Sequence, residues 1–372
     1  MIGVLLAQAS DWIRPDVDWH ALAPELVLVV GINLVLLIDL WLEDSKKWMM
    51  GALTGFVMLG AFIPVVTLAV VGDTPVRSMF FDRYVVDEYA LILKALFLLI
   101  GYVIVLMSQT ELEEGGYYQG EYYLMLLASV LGMVMMASSR DLVSVFVALE
   151  LLSIPAYMMA AWRKRDPKSN EAGVKYYLLG VFASGVLLYG MSYLYGTTGS
   201  TKLTEIGSSL ADNSITAMQV IAVVFVVVGF GFKVSAVPFH TWAPDTYEGA
   251  PLPVTAFLSV ASKAAGFVGL ITMLFLAMYA ADGVYEPFIW VLAALTMTVG
   301  NVLALRQTNI VRMLAYSSVS QGGFILMPLA VIASGGAAES ALKSVIIYLL
   351  IYAFSNLGAF AVIMAVSRKT GS

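Results

Sequence analysis

The sequence predicts an all-α polytopic membrane protein with eleven transmembrane helices. Of its 372 residues, 60% are apolar and only 12% charged, mean hydropathy is +0.87, and long apolar runs recur throughout. A soluble domain carries about 25% charged residues. The net charge of −6 argues against a nucleic-acid surface. Cys is absent, which excludes a disulfide framework and thiolate ligation of zinc or iron–sulfur clusters within the chain. Two histidines, His20 and His240, are too few for haem pairs or a His-rich metal cage. The N-terminal MIGVLLAQASDW lacks a basic region and has only a short apolar run, so it does not read as a cleavable signal peptide.

About 20 apolar residues cross the hydrocarbon core as a helix. The spans expected by that measure are 21–42, 49–71, 87–108, 118–138, 141–162, 173–195, 215–242, 252–280, 287–305, 313–333 and 342–366. Only the polar cluster SSRD (138–141) separates the fourth from the fifth. Lys and Arg in the loops set orientation. The odd loops, with the segment after span 11, hold Lys46, Lys47, Arg163, Lys164, Arg165, Lys168, Arg306, Arg312, Arg368 and Lys369. The even loops hold Arg77, Arg83, Arg140 and Lys202, so the odd loops are expected in the cytoplasm and the N-terminus outside. Spans 4–5 and 9–10 echo each other: an apolar run, a polar break, then a run with Glu150 or Gln321 at similar depth. The two units enter the membrane from opposite sides, as an inverted repeat requires.

A charge at mid-bilayer costs about 2.5–3.5 kcal/mol on insertion scales, so each one needs a reason. Glu150 lies halfway along span 5, and Pro155 interrupts the backbone hydrogen bonding just after it. Lys263 lies twelve residues into span 8 among Ser259, Ala261, Ser262, Ala264, Ala265 and Gly266, small residues that let helices approach closely. Lys233 stands about 19 residues into its run, five before Pro238. Pro238 cannot donate to the carbonyl of Val234 and crowds it, so the helix should kink or break there. Irregular backbone at membrane depth is tolerated only where protein or a water-filled cavity satisfies it. Lysine and broken helix together point to a hydrated pocket. Lys175 follows Glu171 by four residues, which reads equally as a local ion pair or a functional group. Lys94, seven residues after Asp87, reads as structural, and Lys343 as a snorkelling residue at the start of span 11. Burial and a nearby carboxylate pull a lysine's proton affinity in opposite directions. A line of such groups can therefore conduct protons in steps controlled by neighbouring charges. No nucleophile–base pair, phosphate-binding Gly loop, metal cage, or aromatic cluster beside the charges stands out, which argues against hydrolase and solute-permease readings.

Four stretches now carry a resemblance: ALELLSIPAYMMAAW with Glu150, NEAGVKYYLLGVFASGVLLYG with Lys175, GFGFKVSAVPFHTWAPDTYEGAPLPVTAFLSVASKAAGF with Lys233 and Lys263, and GNVLALRQTNIVRMLAYSSVSQGGF with Gln321. Over roughly residues 85–366 the chain resembles the antiporter-like membrane subunits of proton-pumping NADH:quinone oxidoreductase, respiratory complex I, most of all the N type. The resemblance implies a fourteen-helix antiporter-like fold with inverted repeats and a broken seventh helix. Three units would follow: 1–115 as three N-terminal helices, 116–281 as the first repeat (helices 4–8, broken near 233–242), and 282–372 as the first part of the second repeat (helices 9–11). It implies Glu150 as the carboxylate paired with Lys233, Lys263 as the central relay lysine and Lys175 as a lysine near that pair. His240 and Asp245 would lie on an entry path or cap a helix end.

Two departures matter. Eleven spans is three short of fourteen, so the sequence reads as a truncated form whose exit-side residue cannot be named. Gln321 stands where many relatives carry histidine, and Gln cannot titrate. The function implied is that of a proton-translocating subunit doing no redox chemistry itself, in the bacterial inner membrane. NADH, FMN, iron–sulfur clusters and quinone are expected in partner subunits, with no cofactor or metal in this chain. The neighbouring antiporter-like subunit M and small subunits such as K and J are the expected partners. The alternatives are a subunit of a multisubunit cation/proton antiporter, a complex fed by ferredoxin or another reduced carrier, and a non-conducting scaffold.

Overall fold

The computed structural model describes residues 15–71, 76–115, 119–212, 214–333 and 336–370. The N-terminal stretch read as lacking a signal peptide lies almost wholly outside them. Apolar runs interrupted by capping residues become helices: α1 (Ala23–Trp41), α2 (Met49–Val71), α3 (Glu88–Gly115), α4 (Gln119–Ser138), α5 (Leu142–Ala160) and α6 (Pro167–Thr198). A surface helix α7 (Leu203–Ala211) precedes α8 (Ala217–Lys233) and the short α9 (Trp242–Gly249). Then come α10 (Leu252–Ala277), α11 (Asp282–Ala304), α12 (Ile310–Leu326) and α13 (Ala338–Thr370). One hairpin, β1 (Arg77–Met79) against β2 (Tyr84–Val86), sits between α2 and α3.

Local chemistry sets the ends. Asp141 accepts from the Val143 amide at 3.0 Å and starts α5, which resolves the SSRD break into a two-sided turn. Asp166 caps α6 and Asn309 caps α12 through their side-chain oxygens. Thr216 and Gln219 form a reciprocal capping box on α8. Gly199, at φ +74°, closes α6 in the left-handed conformation that glycine adopts without a Cβ penalty.

Among the described residues, ten helices are long and apolar enough to span a bilayer. The expected seventh span differs: α8 stops at Lys233 after 17 residues, and the rest of 215–242 is a turn leading into α9. Helix α13 begins before and ends after 342–366, because its polar ends remain helical and Glu339 pairs with Lys343 at 2.5 Å. Lys343 is thus held at the helix start rather than extended alone.

Ion pairs sort onto two opposite ends of the bundle. Lys47–Asp39, Arg163–Glu111, Lys168–Glu248 and Arg368–Glu114 join odd-loop regions. Arg77–Asp18, Arg83–Asp141, Arg140–Asp87 and Lys202–Asp82 join even-loop regions. Helix α10 is the axis of the core, buried without interruption from Pro253 to Leu274. Two π-helical turns, Leu258–Ser262 and Met273–Ala277, interrupt it. Such turns widen a helix locally and recur at functional sites, and the first sets Lys263 at the middle of the bundle. Large apolar side chains such as Phe182, Ile351 and Phe354 face outward, as a lipid-facing surface requires.

Candidate proton-transfer site

The helix break determines the first part of the site. Ser235 adopts φ +60°, and the Val237–Pro238 peptide is cis, so the chain turns at once after Lys233. The backbone groups this frees find partners inside the bundle. The Trp242 indole N–H donates to the Phe232 carbonyl at 3.0 Å, and the Thr296 hydroxyl of α11 accepts from the Val237 amide at 2.9 Å. The Ala236 amide donates to the Gly231 carbonyl at 2.8 Å. Non-helical backbone at this depth is therefore satisfied by protein.

Lys233 is 4% exposed and points between α5 and α6. Its Nζ donates to Ser153 Oγ at 2.8 Å and, more weakly, to the Tyr176 hydroxyl at 3.4 Å. The rings of Tyr157 and Tyr176 each lie 5.8 Å from Nζ, within cation–π range. Trp242 stacks on Tyr176 at 4.4 Å and Phe232 lies 5.3 Å from Trp242. An aromatic cluster does surround this lysine, contrary to the sequence reading. Its members come from α5, α6, α8 and α9, too far apart in the chain to show as one motif.

Glu150 and Lys233 do not touch. Glu150 is half-buried and accepts from Ser184 Oγ of α6 at 2.6 Å. No ion pair joins the two among the described residues. Ser153, one helical turn beyond Glu150, takes the direct contact instead.

Lys175 is not near that pair. Its side chain is 42% exposed and bonds Glu171 and Asp245, each at 2.7 Å. Asp245 also accepts from Arg312 at 2.8 Å, and Arg312 reaches Glu248 at 3.0 Å. This network lines a recess of about 150 Å³ at the odd-loop end. The next residue, Tyr176, is the one that meets Lys233, because the two side chains point to different faces of α6. His240, on the turn, is half-buried with a buried Nδ1 that lacks a hydrogen-bond partner, 6.3 Å from the Tyr316 ring.

Lys263 is 1% exposed. It donates to the Ser318 carbonyl at 2.6 Å and to Ser318 Oγ at 2.5 Å. Tyr352 of α13 donates to the same Oγ at 2.8 Å, and Asn356 donates to the Tyr352 hydroxyl at 2.9 Å. Gln321, one turn on from Ser318, does not reach Lys263 but accepts from the Tyr348 hydroxyl. Ser317, Gln321, Tyr348, Tyr352 and Asn356 line an open cavity of about 340 Å³. The motif SSVSQGGF contains both Ser318 and Gln321, and only the packing of α12 on α10 shows that the serine faces the lysine.

Glycines permit these contacts. A Cβ at Gly266 would lie 2.8 Å from Lys233 Cγ, and one at Gly132 would lie 2.5 Å from the Leu152 amide nitrogen. Each lets a neighbouring helix carry its functional residues into the bundle.

Comparison with known proteins identifies the family. Residues 139–372 match the family model described as NADH:quinone oxidoreductase/Mrp antiporter, TM. NADH-quinone oxidoreductase subunit N of Trichlorobacter lovleyi is 40% identical over 355 residues, covering 95% of this chain and 71% of that protein. NAD(P)H-quinone oxidoreductase subunit 2 of Prochlorococcus marinus is 41% identical over 368 residues, covering 99% of this chain and 68% of that protein. A chain of the respiratory complex I structure from Thermus thermophilus with bound aureothin superposes with a TM-score of 0.74 at 31% identity, covering 92% of this chain and 70% of that one. The chain belongs to the NADH:quinone oxidoreductase/Mrp antiporter family of membrane subunits.

Proposed function

We propose that this chain is the N-type, proton-translocating membrane-arm subunit of a NADH:quinone oxidoreductase, with Glu150, Lys233 and Lys263 as its proton carriers. The observation that carries the assignment is the surroundings of the two lysines. Both ammonium groups are buried, and their partners are hydroxyls and one carbonyl, not carboxylates in contact. A hydroxyl both donates and accepts. Ser153, Tyr176 and Ser318 therefore serve an ammonium and a neutral amine alike, so a proton can leave without stranding a partner.

Charge on Glu150 then controls Lys233 from a short distance. Pro238 and the broken helix leave Lys233 at the end of α8, open to a proton arriving past His240 from the odd-loop end. Lys175 belongs to the ionic rim of that end, with Asp245 and Arg312, and tunes entry rather than carrying the proton across. From Lys263 a proton passes by Ser318 toward Tyr352 and the cavity walled by Gln321. The three proposed units, 1–115, 116–281 and 282–372, then correspond to N-terminal helices beside the pathway, its first half and the start of its second.

Quinone reduction in partner subunits drives the relay, and NADH, FMN and iron–sulfur clusters belong to those partners. The membrane neighbours are an M-type antiporter-like subunit and small subunits of the K and J kind. In this reading the odd loops face the cytoplasm and the N-terminus lies outside the inner membrane, which the excess of Lys and Arg in the odd loops supports.

The test is Lys233→Ala in the intact complex reconstituted in vesicles. Coupled electron transfer and acidification should both fall while assembly is retained. Normal pumping by a fully assembled variant overturns the assignment. Co-purification with flavin and iron–sulfur subunits separates this reading from a multisubunit cation/proton antiporter, which would bring only small membrane subunits.

A further inference from the structure

The relay above leaves one buried pair unused. Lys94, the seventh residue of α3, is 0% exposed, and Glu25, the third of α1, is 5% exposed. Lys94 Nζ lies 2.6 Å from Glu25 Oε1. The Tyr84 hydroxyl on β2 donates to the same oxygen, and the Tyr84 ring sits 5.3 Å from Nζ. The pair lies at the even-loop end, opposite the Lys175–Asp245–Arg312 network.

Its surroundings lead to the surface. Glu25 Oε2 is buried without a hydrogen-bond partner. Asp87 stands just before α3, two helical turns ahead of Lys94, and bonds Arg140 at 3.0 Å. The Asp87 side chain is 29% exposed and so meets water. Ser138 lies beside Tyr84, and the hydroxyls of Tyr89 on α3 and Thr272 on α10 face each other nearby. All three of these last hydroxyls are buried outside hydrogen-bond geometry. Thr272 stands nine residues beyond Lys263 on α10, roughly 13 Å along the axis at helical rise.

A clamp between α1 and α3 would be served as well by apolar side chains, since a buried ion pair seldom stabilises more than its hydrophobic replacement. A clamp also gives no reason for a bare carboxylate oxygen. We propose that Glu25 and Lys94 form a second proton-holding pair, which exchanges protons with the even-loop aqueous face by way of Asp87, with Arg140 as the fixed positive charge beside it. In the step itself the Nζ–H bond of Lys94 breaks and an O–H bond forms on Glu25, leaving amine and acid both neutral. The acid proton then leaves by Oε2, and a proton from the interior restores the ammonium.

This inference rests on the proton-relay reading, and its test keeps the two apart. In the reconstituted complex, Glu25→Gln should retain assembly and ionophore-released electron transfer. Protons moved per NADH should fall, and a carboxyl band should vanish from the redox-difference infrared spectrum. The double variant Glu25→Leu with Lys94→Met, which keeps the contact apolar, should assemble and show the same pumping loss. Normal pumping in both, beside an impaired Lys233→Ala control, overturns this pair alone. Normal pumping in all three overturns the relay as well. Failure of both Glu25 variants to assemble makes the pair a structural clamp and also overturns the proposal.

Discussion

Lys263 and Ser318 meet twice, at 2.6 Å through the serine carbonyl and at 2.5 Å through its hydroxyl. The carbonyl can only accept, whereas the hydroxyl also faces Tyr352 at 2.8 Å. One serine thus joins the lysine at the centre of α10 to the polar side chains of α13.

Ser318→Ala separates these two contacts. It keeps the carbonyl and removes the link to Tyr352, leaving that buried hydroxyl short of a partner at a cost of about 1–3 kcal/mol. Pumping should fall in the reconstituted complex while assembly persists. Tyr352→Phe should reproduce the loss, and an unchanged rate in both would remove Ser318 from the pathway.

Gly266 tests how closely Lys233 is positioned. A Cβ there would lie 2.8 Å from Lys233 Cγ and 3.1 Å from its Cβ, both near the base of the side chain. Gly266→Ala should therefore displace the ammonium from Ser153 and lower pumping. Blue-native electrophoresis should still show the full complex.

The helix break can be destabilised without touching a lysine. Trp242→Phe removes the donor to the Phe232 carbonyl, and Thr296→Val removes the acceptor for the Val237 amide. Thr296→Val leaves the buried Val237 amide unpaired, costing about 1–3 kcal/mol, whereas after Trp242→Phe the Phe232 carbonyl keeps the Ser235 amide and the loss is smaller. Thermal unfolding in detergent should register both, with Thr296→Ser behaving close to the parent.

Lys175→Ala should be milder than Lys233→Ala. The Lys175 ammonium is partly exposed, and contributions from such pairs run at about 0–1 kcal/mol and are screened by salt. Its effect on pumping should shrink as ionic strength rises, while that of Lys233→Ala should not.

Asp18 supplies a pH test outside the membrane helices. Partial burial alone would raise its carboxyl, but the Ala21 amide, Arg77 and the His20 amide together hold it below the usual carboxylate range. A depressed folded-state value stabilises the fold above the unfolded value of about 3.9 and loses that contribution as pH falls through the folded one. Asp18→Asn should thus lower thermal stability at neutral pH and converge with the parent in acid. A gap of equal size at all pH values would contradict this.

Much of the architecture was legible in the sequence, because lipid makes unusually simple demands. Apolar length marked where most of the helices cross. A lysine five residues before Pro238 in an apolar run announced both the broken helix and the buried cation, since neither is tolerated at that depth without a role. Lys263 among small residues was readable for the same reason.

Partners were not legible, because they depend on which helix faces which. Ser153 rather than Glu150 touches Lys233, and Tyr176 rather than Lys175 lies beside it. In each case the residue named from the sequence was the chargeable or distinctive one, and the true contact was a hydroxyl within one turn of it. Glu25 escaped notice because it stands at the edge of α1, and only the packing of α1 on α3 buries it against Lys94. The sequence by itself determined that this chain crosses a membrane carrying buried charge. Tertiary structure decided which hydroxyls those charges meet, because contact partners depend on helix rotation and close approach, which span length and composition do not specify.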